Sequence, residues 1–593
     1  MPRAQKMSLK AFWDAVEKRL AACSADDLRL ILRAMAQETL PMERQAFLDK
    51  LRPAPGTAVA AQQALRQEAL LADIDDLARE LKAQTEQADD WEERYGWDEY
   101  GEEDSPGPYE DFLEPLAALF DRAEAAFDYG DLPLARTAYQ KLFETLDLED
   151  DYGRGVSADD LSNVDIEEAR ARYLRAVYET KPPARRPQAL FEQMRQTQSW
   201  LARQRPMLDD IIQISPKPLP DQDRFLKAWT TFLRKQSGSD ADAWLREAIR
   251  LGQGTSGLEE LARTEGKKRP RAYLDWFAAL EEEGKHREVL AAAQEALQAL
   301  PARLPIRAAI ADHLCAAAER LNETETLRAG RWEAFTAKPT LLRLLDLWDA
   351  APGGEERTRL MQRAAGHVKD YLDHPPRQQV MREAGWQEDD LESPAWMSKS
   401  VLAHAYLFAE DWDTAHQLAA REKVLGWSSS DNSQGLAVPF FLVLLSGKSP
   451  GALPINLAQL WQRGLQNSIG FVSSSGKDED GALKRLERAY AARLSDASLP
   501  RDRQAQVLSW CLDVAKRRVE AIVSNQHRGS YDKAAELTAA CAETLRLRGE
   551  NDEADAILND VRNRFPRHRA FQAELNTAVQ QMERSRGRKG GNA

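Results

Sequence analysis

Cysteine is scarce. The four in 593 residues, Cys23, Cys315, Cys511 and Cys541, are widely separated and form no CxxC or CxC pair. This excludes the usual zinc spacings and opposes a disulfide framework, which leaves small buried hydrophobes as the expected role. Long apolar runs are missing as well. The longest, Leu436 to Leu445, is broken by Pro439 and is half the ~20 residues needed to cross a bilayer; it reads as a buried core helix. Residues 1–10 contain no apolar h-region or small-residue cleavage site, so a cytoplasmic protein without membrane attachment is expected. Positive charge is in deficit, with 81 Lys and Arg against 96 Asp and Glu, a net charge of −15 and a pI near 5.3. That balance opposes broad association with a phosphate backbone, and nucleic acid is not the expected partner.

Leu, Ala, Glu, Arg, Gln and Asp dominate while Val and Ile are sparse, which predicts an all-α fold. The length exceeds the ~250–300 residues at which one core stops growing, so several domains or a repeat array must be present. Residues 1–88 read as a small N-terminal helical segment. Helices are expected over 9–22 and 25–37, the second with Ser24 and Asp27 as a capping-box variant. Pro53, Pro55 and Gly56 then stop the pattern. A polar helix over 58–87 follows, with Leu65, Leu70, Ile74, Leu77 and Leu81 on one stripe.

Residues 89–111 stand apart. Eleven acidic residues meet one basic residue, Arg94, and are interleaved with Trp91, Tyr95, Trp97, Tyr100 and Tyr109. Gly96, Gly101, Pro106, Gly107 and Pro108 deny the stretch a continuous helix. One reading is a solvated linker, since clustered like charge resists collapse. The other is a docking segment, in which the rings anchor in a groove while Asp98, Glu99, Glu102, Glu103 and Asp104 meet Lys or Arg.

From Phe112 onward a recurring offset marks helical hairpins. Gly130, Gly284, Asn322, Glu410 and Gly549 are taken as turns. Five residues after each stand Ala135, Val289, Leu327, Ala415 and Ala554; four before stand Ala126, Leu280, Ala318, Tyr406 and Leu545. Pro301, Pro339 and Pro566 lie seventeen residues after three of the turns. The turn residue reverses the chain, a small apolar residue lets the second helix approach the first, and proline ends that helix. Each hairpin has an apolar face that only its neighbour can cover, so such units stack.

These residues resemble the TPR superfamily. Trp276, Leu280, Gly284, Val289, Ala293, Ala296 and Pro301 carry the likeness, and Gly130 with Ala135 and Tyr139 repeats part of it. The resemblance implies an α-solenoid with a concave binding surface and a scaffold or adaptor role; it says little about the ligand. The run 123–155 also looks like helical regions beside SWIM zinc fingers of bacterial proteins, but the CxC and CxH ligands of that finger are absent. A TPR-like solenoid is therefore expected over 112–350 and a second helical-repeat half over 351–582, with a soft division near 350. The basic tail 583–593, with Arg584, Arg586, Arg588 and Lys589, is expected to be unfolded.

Local motifs that imitate chemistry read better as structure. Gly252, Gly254 and Gly257 spell GxGxxG, but a helix precedes them where a dinucleotide site needs a strand, so they end one helix and Ser256 with Glu259 caps the next. Gly447, Lys448 and Ser449 imitate a Walker A ending, yet Leu442 stands where its first glycine belongs. His313 and Cys315 point to different helix faces. His404 and His416 flank the Glu410 turn without a third ligand. Fifteen tryptophans are expected mostly to fill space between helices.

No catalytic residue, metal site or cofactor emerges. The leading expectation is a non-enzymatic scaffold or adaptor for a protein or peptide partner. An RNA-binding repeat protein is the first alternative, although it would need a basic lining. An enzyme or metal-dependent protein assembled from distant residues, with carboxylates of 89–111 holding a divalent ion, is the second.

Overall fold

The computed structural model describes residues 58–86, 107–150, 154–161, 163–196, 205–302, 304–374, 399–426, 432–470, 479–495 and 497–587, with a few isolated positions before 58. Among them the regular structure is helical; one isolated bridge, Glu149 to Gly155, is the exception. No helix among the described residues is long and apolar enough to cross a membrane. The chain forms two compact units, 1–258 and 259–593.

In the first unit the helix Ala58–Glu86 buries Leu70, Ile74 and Leu81 from its apolar stripe, while Leu77 is half-buried. It packs on the hairpin Leu113–Asp128 and Leu132–Leu146, which in turn packs on Ile166–Thr180. That helix carries three buried arginines, Arg170, Arg172 and Arg175. Arg175 donates to the carbonyls of Ile211, Lys217 and Pro218 at 3.3, 2.9 and 3.0 Å and so ties down the helix Leu208–Gln213 and the loop between it and Gln222–Leu233. A buried guanidinium is tolerated here because its donors are spent on these carbonyls and its Nε pairs with the Glu179 carboxylate.

In the second unit each helix from Arg271–Glu282 to Tyr531–Leu547 packs on its neighbour in the chain, with few departures. The architecture is a helical repeat. The strict order breaks toward the end of the unit, where Tyr531–Leu547 packs on Ile455–Gly470 and on Arg569–Gly587; Glu479–Ser495 also reaches back to Leu341–Ala350, where Arg485 pairs with Asp346 at 2.7 Å and Asp349 at 2.9 Å. The division expected near 350 is only a turn. Gly353 and Gly354 have φ of +109° and +54°, and Leu344 and Trp348 before them share one core with Met361, Phe408 and Tyr490 after them. Apolar packing runs through the loop that glycine and proline mark as a boundary.

All five turn residues adopt the left-handed conformation, with φ between 59° and 85°. In each hairpin the N–H of the following residue donates to the carbonyl four residues before the turn: Asp131 to Ala126, Lys285 to Leu280, Glu323 to Ala318, Asp411 to Tyr406, Glu550 to Leu545, at 2.8 to 3.0 Å. This is the Schellman pattern, in which the turn satisfies the helix's last carbonyls. Ala135, Val289, Ala415 and Ala554 are fully buried. Leu327 is only half-buried; the close approach in its hairpin falls at Gly330, where an added Cβ would lie 2.7 Å from Cys315 Sγ. A sixth turn of the same kind, at Gln526 with φ of 57°, sits between Ile522 and Tyr531.

The prolines act as expected: the helices ending at Ala299, Ala337 and Arg564 stop two residues before Pro301, Pro339 and Pro566. The run Leu436 to Leu445 is a buried helix, Gln434–Ser446. The tail departs from expectation at its start, because the helix Arg569–Gly587 continues past Glu583. Trp229 and Trp244 are fully buried, and Trp276, Trp348 and Trp461 nearly so. Trp200, Trp386, Trp396 and Trp427 lie outside the described residues, as do most of 9–22 and 25–37.

Candidate functional site

A polar cleft of about 370 Å³ opens between three helices of the second unit, Ile455–Gly470, Tyr531–Leu547 and Arg569–Gly587. Their junction is built around Glu543. A helix begins with N–H groups that have no partner inside it. Here the Glu543 carboxylate accepts from the backbone N–H of Leu457 at 2.8 Å and of Asn456 at 3.3 Å, and from Asn456 Nδ2 at 2.8 Å. Asn456 Nδ2 also donates to the carbonyl of Ala578 at 3.1 Å, which ties in the third helix. Burial pushes the Glu543 carboxyl up, and the hydrogen bonds from Asn456 and Leu457 oppose this.

The first helix turns Leu457, Trp461 and Leu465 into the core, and Gly464 approaches the Gly435 carbonyl so closely that a Cβ would sit 3.0 Å from it. The other face presents Gln459, Gln462 and Gln466 to the cleft, spaced three and four residues apart. That spacing makes one stripe of amides. Across from it stand Asp532, Glu536 and Glu574, with Thr577 and Gln581. Arg463 spans the floor, with Nη1 3.3 Å from Asp532 Oδ2 and Nη2 2.8 Å from Glu536 Oε2.

Glu536 is 7% exposed, and its other oxygen, Oε1, has no hydrogen-bond partner. Burial raises its carboxyl above the usual range against the pull of Arg463 and Arg518. Arg518 is itself buried and is lowered to about 10, first by burial and then by the like charge of Arg463. One guanidinium among the lining residues thus faces three carboxylates, with a second guanidinium nearby.

None of these residues stands out in the sequence. The available signal is the Gln459, Gln462, Gln466 spacing, which an ordinary solvated helix face shares. Of the residues expected to dock a partner, Trp91, Tyr95, Trp97, Asp98, Glu99, Tyr100, Glu102, Glu103 and Asp104 lie outside the described residues. Tyr109 is described, and it is not free to dock. It is 3% exposed, its hydroxyl donates to Asp150 Oδ2 at 3.2 Å, and burial pushes it up to about 12. Asp150 also accepts from the backbone N–H and Nε of Arg154, each at 2.9 Å, so Tyr109 serves as an internal anchor.

The remaining candidates fall into structural roles. Gly254 alone breaks the helix Ser239–Glu265, with φ of 63°, and Ser256 Oγ donates to the Gln253 carbonyl. Gly447 is a left-handed helix end in an exposed loop. His313 Nδ1 lies 2.7 Å from Glu281 Oε1, while burial pushes the Cys315 thiol up to about 12. His404 is fully buried, shares a 2.6 Å hydrogen bond with the Tyr490 hydroxyl and is lowered to about 3 by burial. His416 instead stands edge-on to Trp510, 4.8 Å between ring centres. No group of three metal-ligating side chains occurs among the described residues.

No family model and no curated protein matches the chain. Among solved structures it is similar, at 14% identity, to a circular tandem repeat protein with novel repeat topology and enhanced subunit contact surfaces; the match covers 89% of this chain and 100% of that one. The TM-score is 0.14, too low for the superposition to support any argument.

Proposed function

We propose that this protein is a non-enzymatic interaction scaffold or adaptor, built from TPR-like hairpins, whose second unit receives a segment of a protein partner in the polar cleft. The observation that carries this reading is the lining itself: Gln459, Gln462 and Gln466 in one row opposite Asp532, Glu536 and Glu574. Among the described residues Cys511, Cys541 and His404 are buried in packing and Cys315 is half-buried. An amide row with charges across from it favours recognition through hydrogen bonds and charge over bond-breaking chemistry.

The test is co-purification of the full chain under gentle, low-salt conditions, beside the variant Gln459→Ala with Gln462→Ala. A stoichiometric protein partner held by the wild type and lost by the variant is expected. A clean monomer, or a partner that the variant retains unchanged, overturns the reading.

A further inference from the structure

The cleft carries more than a general affinity for protein. Glu536 is nine-tenths buried in its wall, yet one carboxylate oxygen has no donor, and a buried acceptor left unpaired is costly. Three carboxylates against Arg463 leave the lining acidic. The amide row has its own geometry. At ~1.5 Å of rise per residue, Gln459 to Gln466 spans about 10 Å, the length of about three residues of extended chain at ~3.3 Å each. Each glutamine offers one carbonyl and one NH₂, the complement of a peptide group. Glu543 and Asn456 hold the start of the helix that carries the row, so the backbone that spaces the three amides is set before anything binds.

Resting on the adaptor reading above, we infer that the cleft binds an extended peptide segment through its main chain along Gln459, Gln462 and Gln466, and selects a basic side chain that Glu536 and Asp532 receive. Arg463 is half-exposed and occupies the cation position between those two carboxylates. An incoming guanidinium or ammonium group takes that position as Arg463 swings toward solvent, and Glu574 at the rim steers its approach. Charge selects the side chain, and the amide row selects a peptide over a free cation.

The experiment is isothermal titration of the full chain with four probes: Ac-Ala-Ala-Arg-Ala-Ala-NH₂, the same peptide with citrulline or with Glu in place of Arg, and butylguanidinium, which has the same single charge but no main chain. The arginine peptide is expected to bind at least about tenfold tighter than the citrulline peptide, as one charge-assisted contact provides, and the Glu peptide weakest. Glu536→Gln should abolish the arginine-over-citrulline preference. Because Glu536 is buried, the variant Gln462→Lys provides a second reading: it should weaken the arginine peptide and leave the circular dichroism unchanged. Gln459→Ala should weaken the arginine and citrulline peptides alike.

Butylguanidinium binding as tightly as the arginine peptide overturns main-chain recognition, and preference for the Glu peptide overturns the choice of charge. If no probe binds while the co-purified partner is still lost from Gln459→Ala with Gln462→Ala, this inference falls and the adaptor reading stands. If the partner is indifferent to every cleft substitution, the adaptor reading falls as well.

Discussion

Glu543 accepts the backbone N–H of Leu457 at 2.8 Å across 86 residues of sequence, so the start of one helix is completed by a carboxylate from another. Truncating Glu543 to Ala strands two buried N–H groups and leaves the Asn456 amide only the Ala578 carbonyl, at a cost of about 1–3 kcal/mol per stranded group. Hydrogen exchange of the full chain should show the Asn456 and Leu457 amides losing protection first, with Glu543→Gln intermediate. Protection equal to wild type would remove Glu543 as the organiser of the cleft.

The hairpin turns predict substitutions of opposite sign. Gly549 has φ of 85°, and nothing stands within 4 Å of the place a methyl group would take, so Gly549→Ala costs about 1–2 kcal/mol through backbone strain alone. Gln526 occupies the same conformation at φ of 57°, and Gln526→Gly should gain about 0.5 kcal/mol once the looser unfolded chain is subtracted. Urea unfolding midpoints should move in opposite directions. Movement in the same direction contradicts the turn assignment.

Gly330 sets the spacing of its hairpin, because an added Cβ meets Cys315 Sγ at 2.7 Å and Leu314 Cδ2 at 3.3 Å. Gly330→Ala gains ~1 kcal/mol of helix propensity and loses about 1–3 kcal/mol to overpacking. A net loss of roughly 1 kcal/mol is expected. Adding Cys315→Ala should recover it in thermal unfolding. A single variant more stable than wild type would show that the helices have room.

Glu247 predicts a pH dependence in the first unit. Its carboxylate accepts from the N–H groups of Leu208 and Asp209, both at 2.9 Å, yet burial, with Asp210 and Asp209 adding to it, raises its pKa from 4.5 to about 7. Between those values the folded protein holds the proton and the unfolded chain does not. The stability it contributes is therefore complete below 4.5 and is lost as pH rises to about 7. Unfolding across that range should show a shallower decline in Glu247→Gln. An equal slope in both proteins would exclude Glu247 as its source.

The hairpins are legible in the sequence because glycine and asparagine signal positive φ and proline signals a helix end, at Gly130, Gly284, Asn322 and Pro301. Gln526 is not legible, since glutamine carries no preference for that conformation, and its turn is forced by the packing of Ile522 and Tyr531. The offset points to Leu327 as the place of closest approach, but the contact is made by Gly330 three residues on. The cleft is invisible in the sequence because its parts are far apart in the chain: Asn456 meets Ala578 across 122 residues. Tyr109 reads as an exposed ring because its sequence neighbours are acidic and rich in glycine and proline, whereas its partner Asp150 lies 41 residues away.

The most direct test places a photoreactive benzoylphenylalanine at Gln462, in the amide row, and at Lys448, an exposed loop position on the same unit, and irradiates the full chain in its native cells. One discrete protein adduct from Gln462, absent from Lys448 and lost on adding Glu536→Gln to a chain with unchanged circular dichroism, is the predicted result. No adduct at Gln462, or the same set of adducts from both positions, contradicts a scaffold that receives its partner in this cleft.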